Sequence, residues 1–523
     1  MLSKSKPDET QSYLTDASNL AGGRASRVVF PESAEEVAGV LAEASAGGVA
    51  VTVSGAGTGI VGGRVPFGGI VLATDKLNRI GEIVAGEAGG GRGTVEAGVT
   101  LADFRREVES RQLLYPPDPT EWSCYMGGTV VTNASGARTF KYGPTRRYIR
   151  RLKIALATGD LLDLSRGEVF ADARGRLRIP LGAGRAVEAQ LPAYRMPGTR
   201  KHAAGYYVEP GMDAVDLFIG SEGTLGVVVE IEAALLPKPA GVLSGVVFFT
   251  EEEKLLAFVR AAREASLATR AVDARGASDA LDASDARGAS EARGASYARG
   301  ALDARALEFF DAEALGFLRG KYPAIPADAS GAVYFEQETT AATEEQLMDA
   351  WLALLERHEA ALDASWFATA ERDQARLREF RHALPVLVNE WLARHGQRKV
   401  STDMSVPDDA FAAMLGFYQE TLRASGLQYV IFGHIGDNHV HVNILPGDDA
   451  QGTQAREIYG QFVKRAVGAG GTISAEHGVG KIKRDYLRTL YGDEHLRQMA
   501  ALKRAFDPAC ILGRGNIFAE EYL

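Results

Sequence analysis

The spacing of hydrophobic residues changes along the chain and predicts two kinds of region. Near the N-terminus, the stretches "VVFP", "SAEEVAGVLAEASAGG" and "VAVTV" predict strand, helix and strand over residues 28–53. Ser33 stands directly before the helical pattern, and Glu36 lies three residues after Ser33. This spacing is typical of a helix N-cap. From about residue 240, longer helical patterns such as "TEEQLMDAWLALLERHEAAL" alternate with strands. We therefore place a domain boundary near Pro237–Pro239.

One predicted strand combines alternation with a high density of histidine. The stretch "GHIGDNHVHVNI", residues 433–444, holds three of the nine histidines of the chain. After the Gly-Asp-Asn turn signal, His439, His441 and Asn443 share one face, because successive side chains of a strand point to opposite faces. His434 precedes the turn and could fold back toward that face. A metal or an anion could bind there, but a metal needs a further protein ligand from elsewhere in the chain.

Residues 273–302 form a repeat of a different kind. They are five hexapeptides in register: DARGAS, DALDAS, DARGAS, EARGAS and YARGAL. No position carries a bulky aliphatic residue throughout, so stacked repeats would have nothing to bury. We expect a low-complexity, disordered insert in a surface loop. Its removal would join "TRAV" to "DARALEFFD", which we interpret as a passage from a strand to a helix.

Composition narrows the class of protein. The 523 residues exceed one ordinary core, so two or three domains are expected, and 46% hydrophobic with 24% charged residues is a globular composition. The net charge of −10 argues against nucleic acid as the main partner. Cys124 and Cys510 are too few for an iron–sulfur cluster or a disulfide framework, which favours a reduced, cytoplasmic compartment. The N-terminus lacks the apolar core of a signal peptide and no run of about 18 apolar residues occurs. Peripheral membrane attachment stays open.

The loop "SGAGTGIVGG" has five glycines within nine positions, at residues 55, 57, 59, 62 and 63. Without Cβ atoms, successive backbone N–H groups can approach the oxygens of a phosphate closely. The loop is not a P-loop, because no Gly-Lys-Ser/Thr follows, and it lacks the acidic residue of a Rossmann fingerprint. On the loop alone, a phosphate cradle and a flexible turn remain equal alternatives.

Several longer motifs in the same order carry a family resemblance. "SGAGTGIVGG", "GGIVLATDKLNRI", "VEAGVTL", "YPPDPTE", "MGGTVVTNASGAR" and "GSEGTLG" closely resemble the FAD-binding domain of the vanillyl-alcohol-oxidase and para-cresol-methylhydroxylase (PCMH) type. "GHIGDNHVHVNI", "GGTISAEHGVGKIKRDYL" and "FDPACILGRGNIF" resemble the FAD-linked oxidase C-terminal domain. Together the two resemblances cover nearly all of residues 13–519. The matching branch holds FAD-dependent D-lactate dehydrogenases, the glycolate oxidase flavoprotein subunit and D-2-hydroxyglutarate dehydrogenases.

The resemblance implies an α+β fold. Its parts are an N-terminal extension at 1–23, a two-subdomain PCMH-type FAD-binding domain at 24–239, and a ferredoxin-like α+β substrate (cap) domain with an antiparallel sheet at 240–450. A C-terminal helical segment at 451–523 is expected to return to the FAD domain and complete the active site. The hexapeptide insert, 273–302, then lies within the cap domain.

The resemblance also implies FAD-binding residues in three loops. These are Ser54, Gly55, Ala56, Gly57, Thr58, Gly59, Gly62 and Gly63; then Pro119, Thr120, Gly127, Gly128, Thr132, Asn133, Ser135 and Gly136; and then Gly220, Glu222, Gly226 and Val227. Ala56 stands where relatives often have a third glycine. Some relatives attach FAD through a histidine near the first loop, but the first histidine after it is His202, so we expect non-covalent FAD. A thioether to Cys124 stays open.

The third metal ligand comes from "SAEHGVGKIKR". In the resembling dehydrogenases the positions of His434, His441 and Glu476 bind a divalent metal, and we expect zinc or manganese. Two imidazoles and one carboxylate leave sites open for the hydroxyl and carboxylate of a D-2-hydroxyacid. His477 is the expected base, and hydride passes from Cα to flavin N5. His439 departs from the usual GDGNLH pattern, which has Asn at that position.

Two further residue types complete the expected substrate site. Asn443, on the face of His441, should hydrogen-bond the substrate. Arg381 and Lys399 are candidates for binding its carboxylate, since guanidinium pairs with carboxylate bidentately; the family position of the lysine does not align cleanly with Lys399, so Arg381 is the preferred candidate.

The sequence leaves alternative functions and several partners open. An alkyl-glycerone-phosphate-synthase-like FAD transferase is one alternative, and a non-catalytic FAD subunit of a redox complex is another. The expected dehydrogenase would pass electrons to a separate acceptor: a quinone, a cytochrome, electron-transfer flavoprotein or an iron–sulfur subunit. A homodimer is compatible with everything above.

Overall fold

The computed structural model describes residues 1–86, 89–182, 184–278 and 301–523, with side chains in the helix that ends at Ser278 described up to residue 271. The helices span Pro7–Thr10, Ala34–Ala46, Leu101–Ser110, Met126–Val131, Thr139–Tyr142, Ala214–Phe218, Glu252–Ser278, Ala312–Arg319, Glu344–Arg357, Glu371–Arg394, Phe411–Ser425, Asp449–Gly468 and Arg484–Phe506. The strands are β1 Leu2–Lys4, β2 Arg27–Phe30, β3 Val51–Ser54, β4 Ile70–Ala73, β5 Ile80–Ala85, β6 Gly91–Glu96, β7 Leu113–Leu114, β8 Ile149–Ala155, β9 Leu161–Ser165, β10 Arg176–Gly182, β11 Arg185–Gln190, β12 Val227–Pro237, β13 Gly241–Phe249, β14 Ala304–Asp311, β15 Gly331–Thr339, β16 Trp366–Ala368, β17 Val400–Ser401, β18 Gln428–Gly433 and β19 His441–Leu445.

The N-terminal part folds as a small sheet in the order β1-β2-β4-β3, with β2 and β3 both parallel to β4. The expected strand–helix–strand is present, and the Ser33 side chain accepts the N–H of Glu36 at 3.2 Å to cap helix Ala34–Ala46. Apolar residues Val37 and Leu41 of this helix are buried against the sheet. Residues 2–4, which the sequence placed in an extension, add the antiparallel strand β1.

A second, antiparallel sheet runs in the order β5-β6-β12-β8-β9. Helix Leu101–Ser110 begins at Thr100, whose hydroxyl accepts the N–H of Asp103 at 3.0 Å, and buries Phe104 in the main core. The glycine-rich loop follows β3 of the first sheet, whereas the stretch "GSEGTLG" leads directly into β12 of the second. The glycine-rich loop and the stretch "GSEGTLG" are thus far apart in sequence, and each lies at the end of a strand of its own sheet.

The cap part is a seven-stranded sheet in the order β16-β13-β15-β14-β18-β19-β17, antiparallel at every pair described. One face is covered by helix Glu371–Arg394, where Phe380 and Leu384 pack on Phe310. Trp351 covers the other face and stacks on Phe335 with ring centroids 4.2 Å apart. Because both faces are covered, β14 and β15 are buried along their whole length. This confirms the expected α+β class with an antiparallel cap sheet.

The expectation for the segments beside the repeat is wrong. "TRAV" begins inside helix Glu252–Ser278, and "DARALEFFD" contains strand β14, so the chain passes from helix to strand. Leu255, Phe258, Val259 and Ala262 recur at helical spacing and are all buried, which outweighs the local β-branched signal of Thr269 and Val272. Residues 279–300, which hold most of the hexapeptide repeat, lie outside the described residues.

The C-terminal segment returns to the first sheet as expected. Past helix Arg484–Phe506, the N–H of Val51 donates to Ile511 O and the N–H of Gly513 donates to Val51 O, at 2.8 and 2.9 Å. The buried Lys503 ammonium donates to Asp507 and to the carbonyl of Thr224, which fixes the segment to the end of β12. Within the part of the chain described, no helix combines the length and the apolarity that a membrane crossing requires.

Asp311 gives the cap sheet a titratable helix cap. Its carboxylate accepts the N–H of Ala314 at 2.8 Å, and burial raises its pKa to about 8. The unfolded carboxyl has a pKa near 3.9, so between about pH 4 and 8 the folded protein holds a proton that the unfolded chain releases. The contribution of Asp311 to the free energy of unfolding therefore falls as pH rises through this window.

Asp311→Asn should remove this dependence, because an amide oxygen can accept the same N–H but does not titrate. Relative to wild type, its free energy of unfolding should rise steadily between about pH 5 and 8. Urea unfolding at several pH values measures the difference, with the exposed Asp328→Asn as the matched control. A difference that stays constant over this range would contradict the assignment.

Candidate active site

Three histidines meet at one end of the cap sheet. His434 precedes the short turn Ile435–Asp437, Asn438 reverses the chain with φ 52°, and His439 and His441 follow. The ring centroids lie 5.5 Å apart for His434 and His439, 5.4 Å for His434 and His441, and 4.5 Å for His439 and His441. The prediction that His439 and His441 share one face is therefore confirmed. Strand β19 begins only at His441, however, and His439 forms an isolated bridge with Ser405.

Glu476 joins these imidazoles from the loop after helix Asp449–Gly468. Its Oε2 lies 3.3 Å from His434 Nε2 and 3.8 Å from His441 Nε2, and its Oε1 lies 3.9 Å from His439 Nδ1. One donor atom of each of the four residues lies within 4.8 Å of the other three. Nitrogen and oxygen donors at this spacing fit a divalent cation such as zinc or manganese.

Buried charges surround this cluster. Lys201, with no exposed side-chain surface, donates to Glu476 Oε1 at 2.5 Å and to the carbonyl of Gly136 at 3.0 Å, and lies 3.3 Å from Asp437. Burial alone would raise the pKa of Glu476, but His434 and Lys201 hold it well below the ordinary value. The carboxylate is therefore ionised and available as a ligand.

The histidines differ in charge. Burial disfavours a charged His434, but Glu308, 2.6 Å from its Nδ1, and Glu476 together raise its pKa to about 9. Burial lowers the pKa of His439, and burial with the neighbouring imidazoles lowers that of His441. The last two rings are neutral, as imidazole ligands must be, whereas His434, with its raised pKa, would have to release a proton to bind a cation.

Asp403 organises the outer edge of the cluster. Its Oδ2 accepts the backbone N–H of His477 at 3.0 Å and lies 3.2 Å from His477 Nδ1, and Lys483 donates to it at 2.6 Å. The ring of His477 stacks on that of His441 at 5.4 Å and keeps 24% of its side chain exposed. Nε2 of His477 has no partner among the described residues, so it can exchange a proton with a molecule bound at this edge.

The candidates for carboxylate binding have different surroundings. Arg381 is partly buried and donates from Nε to Glu308 at 3.0 Å, so its charge is already paired. Lys399 is partly buried, has no ion-pair partner among the described residues, and its pKa is lowered by burial. Asn443 lies opposite Ser401, and its buried Oδ1 accepts no hydrogen bond from the described side chains.

The glycine-rich loop after β3 has the donors that a diphosphate needs. In the described structure, the backbone N–H groups of residues 55–63 donate no hydrogen bond. Gly57 has φ 83°, and a Cβ there would lie 2.5 Å from the guanidinium carbon of Arg64. Arg64 in turn donates to the carbonyl of Gly55 at 2.6 Å, which fixes the loop. Ser54 is buried, Ala56 and Thr58 are partly buried, Gly59 is exposed, and Lys481 donates to the carbonyls of Gly62 and Gly63.

The second loop holds its shape through its own contacts. A Cβ at Gly136 would lie 1.9 Å from the carbonyl oxygen of Asp118, so only glycine fits. Asn133 has φ 49° and accepts the N–H of Arg146 at 3.0 Å, while Ser135 donates to Glu476 at 3.0 Å. Pro119 is partly buried, Thr120 is exposed, Gly127 and Gly128 lie in helix Met126–Val131, and Thr132 ends that helix.

The third loop joins the other two to the C-terminal segment. The N–H of Gly220 donates to Val130 O at 3.1 Å, and Glu222 accepts the N–H groups of Val479 and Gly480 at 2.6 and 2.8 Å. Glu222 is thus occupied with the backbone beside His477, while Gly226 and Val227 lead into β12. Burial raises the pKa of Cys124 to about 12, which disfavours the thiolate that a thioether link would need.

Sequence reasoning did not find Lys201, Glu308 and Asp403. Only Asp403 had a local signal. It lies two residues after Ser401, which pairs with Asn443, so a period of two would put Asp403 on the same face as Ser401. Lys201 and Glu308 reach the cluster from 275 and 126 residues away. No local sequence pattern predicts pairs at such separations.

Comparisons with known proteins agree with this geometry. The family model described as "FAD linked oxidases, C-terminal domain" matches residues 238–517, and the model "FAD binding domain" matches residues 25–165. The chain is 28% identical to the glycolate oxidase subunit GlcD of Bacillus subtilis, over 97% of this chain and 92% of that protein. It is also 28% identical to the D-lactate dehydrogenase of Anaerostipes hadrus, over 98% and 93%, and to the D-2-hydroxyglutarate dehydrogenase of Xanthomonas citri pv. viticola, over 98% and 94%.

Among solved structures, alkyldihydroxyacetonephosphate synthase aligns with a TM-score of 0.63 at 14% identity, covering 98% of this chain and 82% of that one. At this identity the likeness concerns the fold alone. The fold and the site are those of an FAD-binding oxidoreductase. The chain belongs to the family of FAD-linked oxidases.

Lys201→Met should destabilise the protein by about 3–5 kcal/mol, because Glu476 and Asp437 would keep their charges without the buried ammonium. Urea unfolding without added metal measures the change. The matched control is Lys464→Met on the exposed face of helix Asp449–Gly468, which should stay within about 0.5 kcal/mol of wild type. If both variants unfold at the wild-type midpoint, the ammonium of Lys201 does not stabilise the buried carboxylates of Glu476 and Asp437.

Proposed function

We propose that this protein oxidises a small D-2-hydroxyacid to the 2-oxoacid, with non-covalent FAD as the hydride acceptor and a divalent cation, zinc or manganese, beside the substrate. The observation that carries the proposal is the junction at Glu476. This carboxylate faces His434 and His441, accepts a hydrogen bond from Ser135 of the second FAD loop, and precedes the partly exposed His477. Ligands, flavin loop and base thus meet at one edge.

The cation would be held by His434, His441 and Glu476. When bound, the cation lowers the pKa of a coordinated substrate hydroxyl, and the flavin accepts the hydride released from Cα. The chain supplies the rest. His477 takes the hydroxyl proton at Nε2, because Asp403 occupies its Nδ1 side and stabilises the imidazolium that results.

The substrate carboxylate needs a cation that is not already neutralised. Lys399 suits this role better than Arg381, whose charge is paired with Glu308 at 3.0 Å. Lys399 directly precedes β17, which pairs with β19 at Ser401 and Asn443, so we place Lys399 on the side of this sheet edge that carries Asn443. The unpaired amide oxygen of Asn443 offers an acceptor on that side, and Arg381 acts through Glu308 on His434.

The proton transfer is tested by His477→Gln. The variant keeps a polar side chain but has no base, so kcat should fall about 10²–10⁴-fold while KM changes little. Anaerobic stopped-flow reduction of the flavin at one pH, over a range of substrate concentrations, measures both.

The control for this variant is His395→Gln. His395 is exposed at the end of helix Glu371–Arg394, where its ring stacks on that of Trp391 and its Nδ1 lies 2.8 Å from the Trp391 carbonyl oxygen. It should reduce flavin at the wild-type rate. If His477→Gln also retains the wild-type rate, another group accepts the proton and this role of His477 is wrong.

A further inference from the structure

His439 is the histidine of the cluster to which the proposed function gives no role. It has no exposed surface, and neither ring nitrogen makes a hydrogen bond of good geometry to the described residues. Its Nδ1 faces Glu476 Oε1 at 3.9 Å, and its Nε2 lies 3.2 Å from Asp403 Oδ1. A buried imidazole without hydrogen bonds needs an explanation, since buried polar groups are almost always paired.

We propose that His439 is a fourth protein ligand of the cation, bound through Nδ1, so that three imidazoles and one carboxylate enclose the ion. The inference rests on the cation of the proposed function and adds a ligand to it.

The distances within the cluster support four ligands. Nitrogen and oxygen atoms about 2.0–2.2 Å from a zinc ion in a tetrahedral site are separated from one another by roughly 3.3–3.5 Å. The separations from Glu476 oxygens to His434, His441 and His439 are 3.3, 3.8 and 3.9 Å. His434 and His441 face Oε2 and His439 faces Oε1, so a cation beside both oxygens would contact all three imidazoles after a contraction of a few tenths of an ångström.

The opposite side of the His439 ring supports the same role. A ligating histidine ordinarily donates its other ring N–H to a carboxylate or carbonyl, which fixes its tautomer and orientation. Asp403 Oδ1 is 3.2 Å from His439 Nε2, so a small rotation of the ring would complete this bond. His441 has the corresponding arrangement, with Nδ1 3.2 Å from the carbonyl of Thr402 and Nε2 toward Glu476.

Four protein ligands change how the site works. With two imidazoles and one carboxylate, three positions of an octahedral ion stay open. A fourth protein ligand completes a tetrahedral zinc ion, which on substrate binding would have to expand to six positions, two of them free of protein ligands. A set of three nitrogens and one oxygen also favours zinc over manganese, which prefers more oxygen ligands. The substrate hydroxyl and carboxylate would then occupy the two remaining positions and leave none for water.

The coordination can be counted directly in the wild-type holoprotein loaded with zinc. X-ray absorption fine structure at the zinc edge distinguishes imidazoles by their multiple scattering, and three are expected. Two imidazoles would overturn the inference without affecting the proposed function. This measurement requires no variant and so does not depend on whether a substituted protein folds.

Zinc affinity provides the second readout, measured by competition with a chromophoric chelator. His439→Asn should weaken binding more than about tenfold, since outer-shell partners alone are worth 10–100-fold. The matched control, His202→Asn, removes a half-buried histidine that bonds Thr472 and Tyr491 outside the cluster, and it should bind as wild type. Wild-type affinity in His439→Asn would overturn the inference, whereas wild-type protein that binds neither zinc nor manganese would overturn the cation of the proposed function.

Discussion

The arrangement of this site depends on the burial of one charged carboxylate. Glu476 receives Lys201 and Ser135 on one oxygen and faces His434 and His441 with the other. An isolated buried carboxylate would be protonated or would destabilise the fold, and the charges of His434 and Lys201 keep this one ionised. The partners come from the second FAD loop, from the segment before "AAGYY" and from the cap sheet. Because Glu476 contacts all of these partners, the second FAD loop, the segment with Lys201 and the cap sheet meet at this carboxylate.

A second set of ion pairs fixes the cap sheet against the FAD loops. Arg138, next to the second loop, lies 3.2 Å from Asp118 and 3.2 Å from Glu336 of β15, and Arg305 of β14 lies 2.8 Å from Glu336. All four side chains are buried, and the cationic partners hold the pKa values of Asp118 and Glu336 low despite burial. Paired charges of this kind are directional, so they specify the orientation of the sheet over the loops as well as its contact.

How far the sequence predicts this structure depends on the range of each interaction. The N-cap of Ser33 and the shared face of His439 and His441 follow from local spacing, and both are present. The helix around Thr269 was mistaken for a strand because four residues carry too little periodicity to outweigh burial decided elsewhere. Lys201 and Glu308 could not be predicted, since their partners are more than a hundred residues distant and charged residues show no period.

The central claim is that this flavoprotein takes hydride from D-2-hydroxyacids with the help of a cation at His434, His441 and Glu476. The most direct measurement is the anaerobic loss of flavin absorbance with matched D and L 2-hydroxyacids, before metal removal, after it and after reconstitution with zinc or manganese. The account predicts bleaching by at least one D enantiomer, little by its L partner, loss of bleaching in the stripped protein and recovery on reconstitution. Equal bleaching by both enantiomers, or full bleaching in protein shown to be metal-free, would contradict it.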